Sequence, residues 1–187
     1  MCGRIEGISM IIRPVEDRDY RPIVDLTNHY ILNTAVHFAE RPITADDLRA
    51  DHAPTRDTHP FLVAEVPSDA PDDPPRFAGF ARAYVWRSRH AYRFTAETSV
   101  YILDEFHRRG IARALYTALL HDLRARNFRT AIAGLTLPNP VSAAFHESLG
   151  FTHNSTFHNV GFKFGRWHSV AFYTLDLTTL PDPPDSR

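Results

Sequence analysis

Cysteine is nearly missing from this chain: Cys2 is the only one in 187 residues. No internal disulfide can form, and a cysteine relay would have to start from the first few residues, away from every other motif. Such sparse usage fits a reducing cytoplasm. Long apolar runs are missing too. None approaches the roughly 20 residues that span a bilayer, so no membrane partner is expected. Residues 1–9, MCGRIEGIS, lack the apolar stretch of a secretory signal and read as a flexible leader. There is no charge excess either, with 21 Lys and Arg against 22 Asp and Glu and a pI near 6.8. That argues against a nucleic-acid footprint and against an acidic tail. His-Glu-x-x-His and paired Cys/His ligands are absent, and the expectation is that no metal is used.

What is present suits one compact domain, since 43% of the residues are hydrophobic. Met10 to Pro14 reads as a strand. Asp17 caps a helix running to about Asn33, with Ile23, Val24, Leu26 and Tyr30 inward. Thr44 with Asp47 resembles a capping box before a short helix. Strand patterns follow at Phe61–Val66, Phe77–Trp86 and Phe94–Leu103, the first two separated by an acidic, turn-rich stretch over 67–76. Arg109–Arg126 is the clearest helix, with Ile111, Leu115, Leu119 and Leu123 on one stripe. A strand at Thr130–Leu137 precedes a helix that Asn139-Pro140 opens and Gly150 ends. Strands at Phe151–Val160 and Trp167–Leu177 complete the domain, expected over residues 10–180, and a loose tail follows from Pro181. The mixture predicts one α/β domain whose central mixed sheet is largely open and flanked by helices.

Between a strand and the best helix lies His107-Arg108-Arg109-Gly110-Ile111-Ala112. A helix N-terminus offers unpaired N–H groups and partial positive charge, and a small residue lets a pyrophosphate come close. The turn from Arg108 to Arg113 could cradle one; it could equally be a solvated turn. It has neither the Gly-Lys-Ser/Thr of a Walker loop nor three glycines.

On the strand before that turn, alternation puts Glu97, Ser99 and Tyr101 on one face and Thr98, Val100 and Ile102 on the other. A mid-strand glutamate is unusual because burying a lone charge is costly. Either Arg82 or Arg93 pairs with it, or it is a general base whose raised pKa suits taking a proton from an amine. Asn139, Ser142 and His146 share one face of the following helix, opposite an apolar stripe of Val141, Phe145 and Leu149. Asn139 is a cap or a ligand contact. His146 is a surface residue or a proton donor near neutral pH. Trp86, Arg87, Arg89 and Tyr92 precede the Glu97 strand and form either a solvated basic hairpin or a pocket wall in which arginine holds an oxyanion.

These motifs resemble the GNAT acetyltransferase superfamily, whose pyrophosphate loop reads Gln/Arg-x-x-Gly-x-Gly/Ala; His107 departs from it at the first position. The resemblance is closer to the phosphinothricin and methionine sulfone or sulfoximine acetyltransferase branch. It is carried by Asn28-His29-Tyr30-Ile31, Trp86 with Arg89-x-x-Tyr92, Thr95-x-Glu97-x-Ser99-Val100-Tyr101, Leu115-Tyr116-Thr117, Leu137-Pro138-Asn139, His146-Glu147 and Gly161-x-Lys163-x-Gly165-x-Trp167-His168. The resemblance implies a GNAT-type fold and acetyl-CoA as co-substrate, with an amino-acid-like amine as acceptor. It implies Glu97 as base and His146 as acid. Coenzyme contacts fall on the backbone of Val100, Tyr101 and Ile102, on Arg108, Arg109, Gly110, Ile111, Ala112 and Arg113, and on Asn139 and Ser142. Substrate contacts fall on Trp86, Arg87, Arg89 and Tyr92. A homodimer is the form common in the branch. Two other readings compete: a GNAT-like module that senses acetyl-CoA without catalysis, and an acetyltransferase acting on proteins or RNA.

Overall fold

A computed structural model describes residues 2–5, 8–68, 70 and 73–180, with side chains from Met10 onward. The tail expected from Pro181 lies outside the described residues. Among those described, eight strands form one sheet in the order β1-β2-β3-β4-β5-β6-β8-β7. The strands are β1 (Cys2–Ile5), β2 (Ile8–Pro14), β3 (Phe61–Val66), β4 (Arg76–Val85), β5 (Thr95–Ile102), β6 (Thr130–Thr136), β7 (Thr152–Lys163) and β8 (Arg166–Asp176). The helices are α1 (Tyr20–Asn33), α2 (Ala45–His52), α3 (Ile111–Ala125) and α4 (Pro140–Glu147). The first expected strand is therefore longer than its pattern, starting at Ile8. Residues 2–5, expected within a leader, pair antiparallel with it.

Alternation along the strands divides the interior in two. Phe61, Val63 and Phe80 face α1 and α2, burying Tyr20, Ile23, Val24, Leu26 and Leu48. Leu62, Ala64, Ala81 and Ala83 face the other way, against the α3 stripe of Ile111, Leu115, Leu119 and Leu123. The α3 face of β4 is alanine-rich, so the helix can lie close to the sheet. Thr44 and Asp47 form the expected capping box on α2. The apolar stripe expected on α4 holds in part: Phe145 and Leu149 pack against the core, whereas Val141 is 81% exposed and His146 is the buried residue of the helix. The helix has only eight residues and lies against the end of the sheet, so one turn and not a full stripe is covered.

β5 pairs in parallel with β6 only at Thr95, Ala96 and Glu97, opposite Thr130, Ala131 and Ile132. Beyond Glu97, β5 stays with β4 as far as Ile102, while β6 stays with β8 as far as Thr136. The sheet splits there. Among the described residues no helix is long and apolar enough to cross a membrane.

A buried ion network holds the start of α1 to the sheet. Arg13 of β2 donates to Asp19 at 2.7 and 2.8 Å and to Glu65 of β3 at 2.6 and 3.1 Å. Both carboxylates are buried. Arg13→Met should destabilise the fold by about 3–5 kcal/mol, because two buried charges lose their main partner. Equilibrium urea unfolding measures this, and a loss under about 1 kcal/mol would mean water or Arg18 replaces the guanidinium.

Candidate active site

The split opens a cleft of about 540 Å³ lined by Val100, Tyr101, Ile102, His107, Arg108, Gly110, Ile111, Ala112, Arg113, Asn139 and Ser142. Gly110 stands at the N-cap of α3 in the left-handed region, φ 76°, and no side chain caps the helix. The amides of Ile111, Ala112 and Arg113 are thus first-turn donors with no partner in the helix. Arg108 also takes a positive φ of 59°. His107 Nε2 donates to the carbonyl of Ile102 at 3.0 Å, so the side chain that departs from the loop pattern ties the loop to the end of β5. Arg109 does not line the cleft; its guanidinium lies 5.5 Å from the Phe106 ring centre. Arg113 is drawn toward Ser148, donating to its hydroxyl at 2.6 Å. Asn139 does both things open to it: its side chain accepts from the Ser142 amide at 3.2 Å, capping α4, and it lines the cleft.

A second cavity of about 670 Å³ adjoins the first at Val36 and Tyr101. Glu97, Thr98, Ser99, Tyr84, Gly134, Thr136 and Phe172 line it, together with Val36, His37 and Phe38 from the loop between α1 and α2. Neither arginine considered as a partner for Glu97 takes that role. Arg82 pairs with Asp51 at 2.7 Å between the rings of Phe61 and Tyr84. Arg93 lies over Phe94 at 4.2 Å and donates to the His90 carbonyl. Burial raises the Glu97 pKa above the ordinary carboxylate value. Gly134 on β6 leaves room for the carboxylate: a Cβ there would stand 3.3 Å from the Phe172 ring and 3.5 Å from Glu97 Oε1. A carboxylate with raised pKa and no ion-pair partner among the described residues, at the apex of a split sheet and next to a cleft of first-turn amides, can take a proton from an amine beside a phosphate-bearing ligand.

Comparison with known proteins agrees with this geometry. The family model for the acetyltransferase (GNAT) family matches residues 25–151. The chain belongs to this family. A phosphinothricin N-acetyltransferase from Streptomyces viridochromogenes is 38% identical over 173 residues, covering 92% of this chain and 90% of that protein. An L-methionine sulfoximine/L-methionine sulfone acetyltransferase from Salmonella typhimurium is 31% identical, covering 90% and 95%. A crystal structure of a GNAT superfamily phosphinothricin acetyltransferase from Sinorhizobium meliloti, in complex with AcCoA, aligns with a TM-score of 0.81 at 30% identity over 89% of this chain and 88% of that one.

In this GNAT chain the segment after β4 stands apart from the Glu97 cavity. Trp86 reaches its wall, packing on Phe172 at 5.6 Å. Arg87, Arg89 and Tyr92 instead line a separate cavity of about 560 Å³ with Phe94, Thr95, Arg126 and Phe128. The segment turns back at the start of β5, whereas the Glu97 cavity opens along the rest of that strand, so nearness in sequence did not bring these three side chains into it. Lining residues of the Glu97 cavity that sequence reasoning did not place there include Val36, His37, Phe38, Tyr84, Gly134, Thr136 and Phe172. Val36, His37 and Phe38 come shortly after the Asn28–Ile31 motif, just past the end of the same helix, which was the available signal.

His146 is 5% exposed and lines neither cavity. Its Nδ1–H donates to the Ser142 carbonyl at 2.8 Å, and its Nε2 lies 3.2 Å from the Tyr116 hydroxyl. That hydroxyl is 2.5 Å from Thr98 Oγ1, which also reaches the Ile132 carbonyl at 3.1 Å. Burial lowers the His146 pKa, so the resting ring is neutral and Nε2 accepts from Tyr116. A proton gained at Nε2 would turn each donor one place along, from His146 to Tyr116 to Thr98 to Ile132 O. Thr98 lines the Glu97 cavity, so the chain joins His146 to it through two hydroxyls. Tyr116→Phe leaves Nε2 buried without its partner and should cost about 1–3 kcal/mol of stability in urea unfolding. A variant as stable as the parent would mean that the contact at Tyr116 is not a hydrogen bond of the native state.

Proposed function

We propose that this chain transfers the acetyl group of acetyl-CoA to the amino group of a small, amino-acid-like substrate of the phosphinothricin, methionine sulfone or methionine sulfoximine type. The observation that carries this reading is the Glu97 carboxylate, without an ion-pair partner among the described residues, at the point where the sheet splits. The relatives named above act on such substrates by their printed names, which supports the substrate class.

Acetyl-CoA supplies the acetyl thioester. The amides at the start of α3, from Ile111 to Arg113, fit its pyrophosphate, with Arg108 beside them and Gly110 keeping the approach open. The unpaired edge of β5 at Val100, Tyr101 and Ile102 offers its backbone to the extended arm. Asn139 and Ser142 close the far side. Glu97 accepts a proton from the substrate ammonium, directly or through one water, and leaves the nitrogen nucleophilic. Attack is direct, because the one cysteine stands away from the site motifs. The departing thiolate takes up a proton that the substrate nitrogen sheds as the amide forms, by way of Glu97 or a water, because neutral His146 carries no proton on the Nε2 that faces Tyr116 and Thr98. Trp86 and Phe172 exclude water on one side. The described lining of the Glu97 cavity contains no lysine or arginine. In a single chain, therefore, an acidic substrate group meets the hydroxyls of Ser99, Thr136 and Tyr84 and the His37 ring.

A homodimer goes with this reading, supported by Phe157, Val160, Phe162, Phe164 and Trp167, all more than half exposed on the β7–β8 hairpin. So does a cytoplasmic location, which the single cysteine suits.

Glu97→Gln tests the proposal. Turnover should fall by about 10²–10⁴-fold while acetyl-CoA still binds. The sign of the pH effect follows from the raised pKa: the parent loses activity as pH falls through it, because the base becomes protonated, and the glutamine variant lacks that acidic limb. Coenzyme A release over a panel of amino acids and their sulfone, sulfoximine and phosphinate analogues provides the readout. Parent-like turnover in the variant would mean that another group is the base.

A further inference from the structure

The Gly161-x-Lys163 motif of the β7–β8 hairpin has no part in the chemistry proposed above, yet Lys163 is only 3% exposed. Its Nζ donates to three backbone carbonyls: Ile31 at 2.6 Å, Thr34 at 2.9 Å and His37 at 2.6 Å. An ammonium has three N–H donors, and here all three are used. The three acceptors bracket the chain as it leaves α1 and enters the loop of Val36, His37 and Phe38. That loop touches both cavities: all three residues line the Glu97 cavity and Val36 also lines the cleft at α3.

Two more contacts fasten the same loop to the same hairpin. Phe38 lies where a side chain at Gly161 would be, since a Cβ there would come within 2.5 Å of the ring. His168 packs near Phe38, ring centres 6.1 Å apart, and its Nε2 donates to the Lys163 carbonyl at 3.1 Å. The charge is held by carbonyl dipoles, and no carboxylate bonds to it among the described residues. A bond to backbone oxygens fixes where the main chain runs, whatever side chains the loop carries.

We infer that Lys163 is a positioning residue for acceptor binding: it clamps the 34–38 loop against the β7–β8 hairpin and so sets the width of the cavity that receives the amine. The inference rests on the acetyl-transfer reading above. A loosened loop leaves Glu97 and the α3 cleft intact but presents Val36, His37 and Phe38 poorly to the acceptor. The effect therefore falls on acceptor affinity and on discrimination among acceptors of different length, not on acetyl-CoA binding.

The test uses the full chain with Lys163→Met, which keeps length and removes the donors, and with Gly161→Ala, which displaces Phe38 while Lys163 stays. Amide hydrogen exchange reads the clamp without any substrate. In Lys163→Met, amides of residues 34–38 should exchange at least about tenfold faster, with those of α3 unchanged. In steady-state kinetics both variants should raise the amine KM about tenfold or more, with kcat and acetyl-CoA affinity within about threefold of the parent. Unchanged exchange at 34–38 overturns the clamp. Faster exchange with an unaltered amine KM, or kcat and both affinities falling together, overturns the positioning role. Should Lys163→Met fail to fold, Gly161→Ala alone decides the kinetic part. A parent enzyme that acetylates no amino-acid analogue defeats the functional reading instead, and the exchange result still stands by itself.

Discussion

The site depends on where one strand pairing stops. β5 and β6 share three ladder positions and then part, because each continues with a different antiparallel neighbour. A parallel pair that ends early leaves backbone donors and acceptors on both inner edges, and such groups are costly to bury unpaired. Here they face a cleft. Glu97 is the last β5 residue in the ladder, and Thr98, one step on, spans the apex with its hydroxyl 3.1 Å from the Ile132 carbonyl. The same divergence that exposes the β5 edge therefore puts the carboxylate on one side of the sheet and the Tyr116–His146 chain on the other.

Electrostatics sharpen this arrangement. The two arginines weighed as partners are occupied elsewhere: Arg82 by Asp51, and Arg93 by the His90 carbonyl and the Phe94 ring. Among the described residues Glu97 has no cation as partner, and burial moves its pKa up, toward the range where a base can exchange protons at neutral pH. One arginine turned toward Glu97 would have the opposite effect. The cleft at α3 is the reverse case, with free amides and Arg108 collecting partial and full positive charge where the helix begins.

Much of this was legible in the sequence for local reasons. Strand alternation assigned Glu97, Ser99 and Tyr101 to one face, and the register with Tyr84, Arg82 and Phe80 matches it. The α3 stripe and the glycine before it gave the helix and its N-terminus. What was not legible was tertiary. Helical spacing put Asn139, Ser142 and His146 on a common face, but only packing against Tyr116 and Phe151 decides that His146 is interior and Val141 exposed. Closeness in sequence suggested that Arg87, Arg89 and Tyr92 reach Glu97, whereas the turn carries them to another cavity. Arg82 could be named as a partner for Glu97 because no local pattern reveals Asp51, 31 positions earlier and on a different element.

The claim that the split between β5 and β6 is the coenzyme site is tested most directly by amide hydrogen exchange of the whole chain with and without acetyl-CoA. The account predicts new protection at the β5 edge from Val100 to Ile102 and at the first turn of α3 from Ile111 to Arg113, with little change around Arg87–Phe94. Protection centred on the Arg87–Phe94 cavity, with the β5 edge and the α3 turn unaffected, would contradict it.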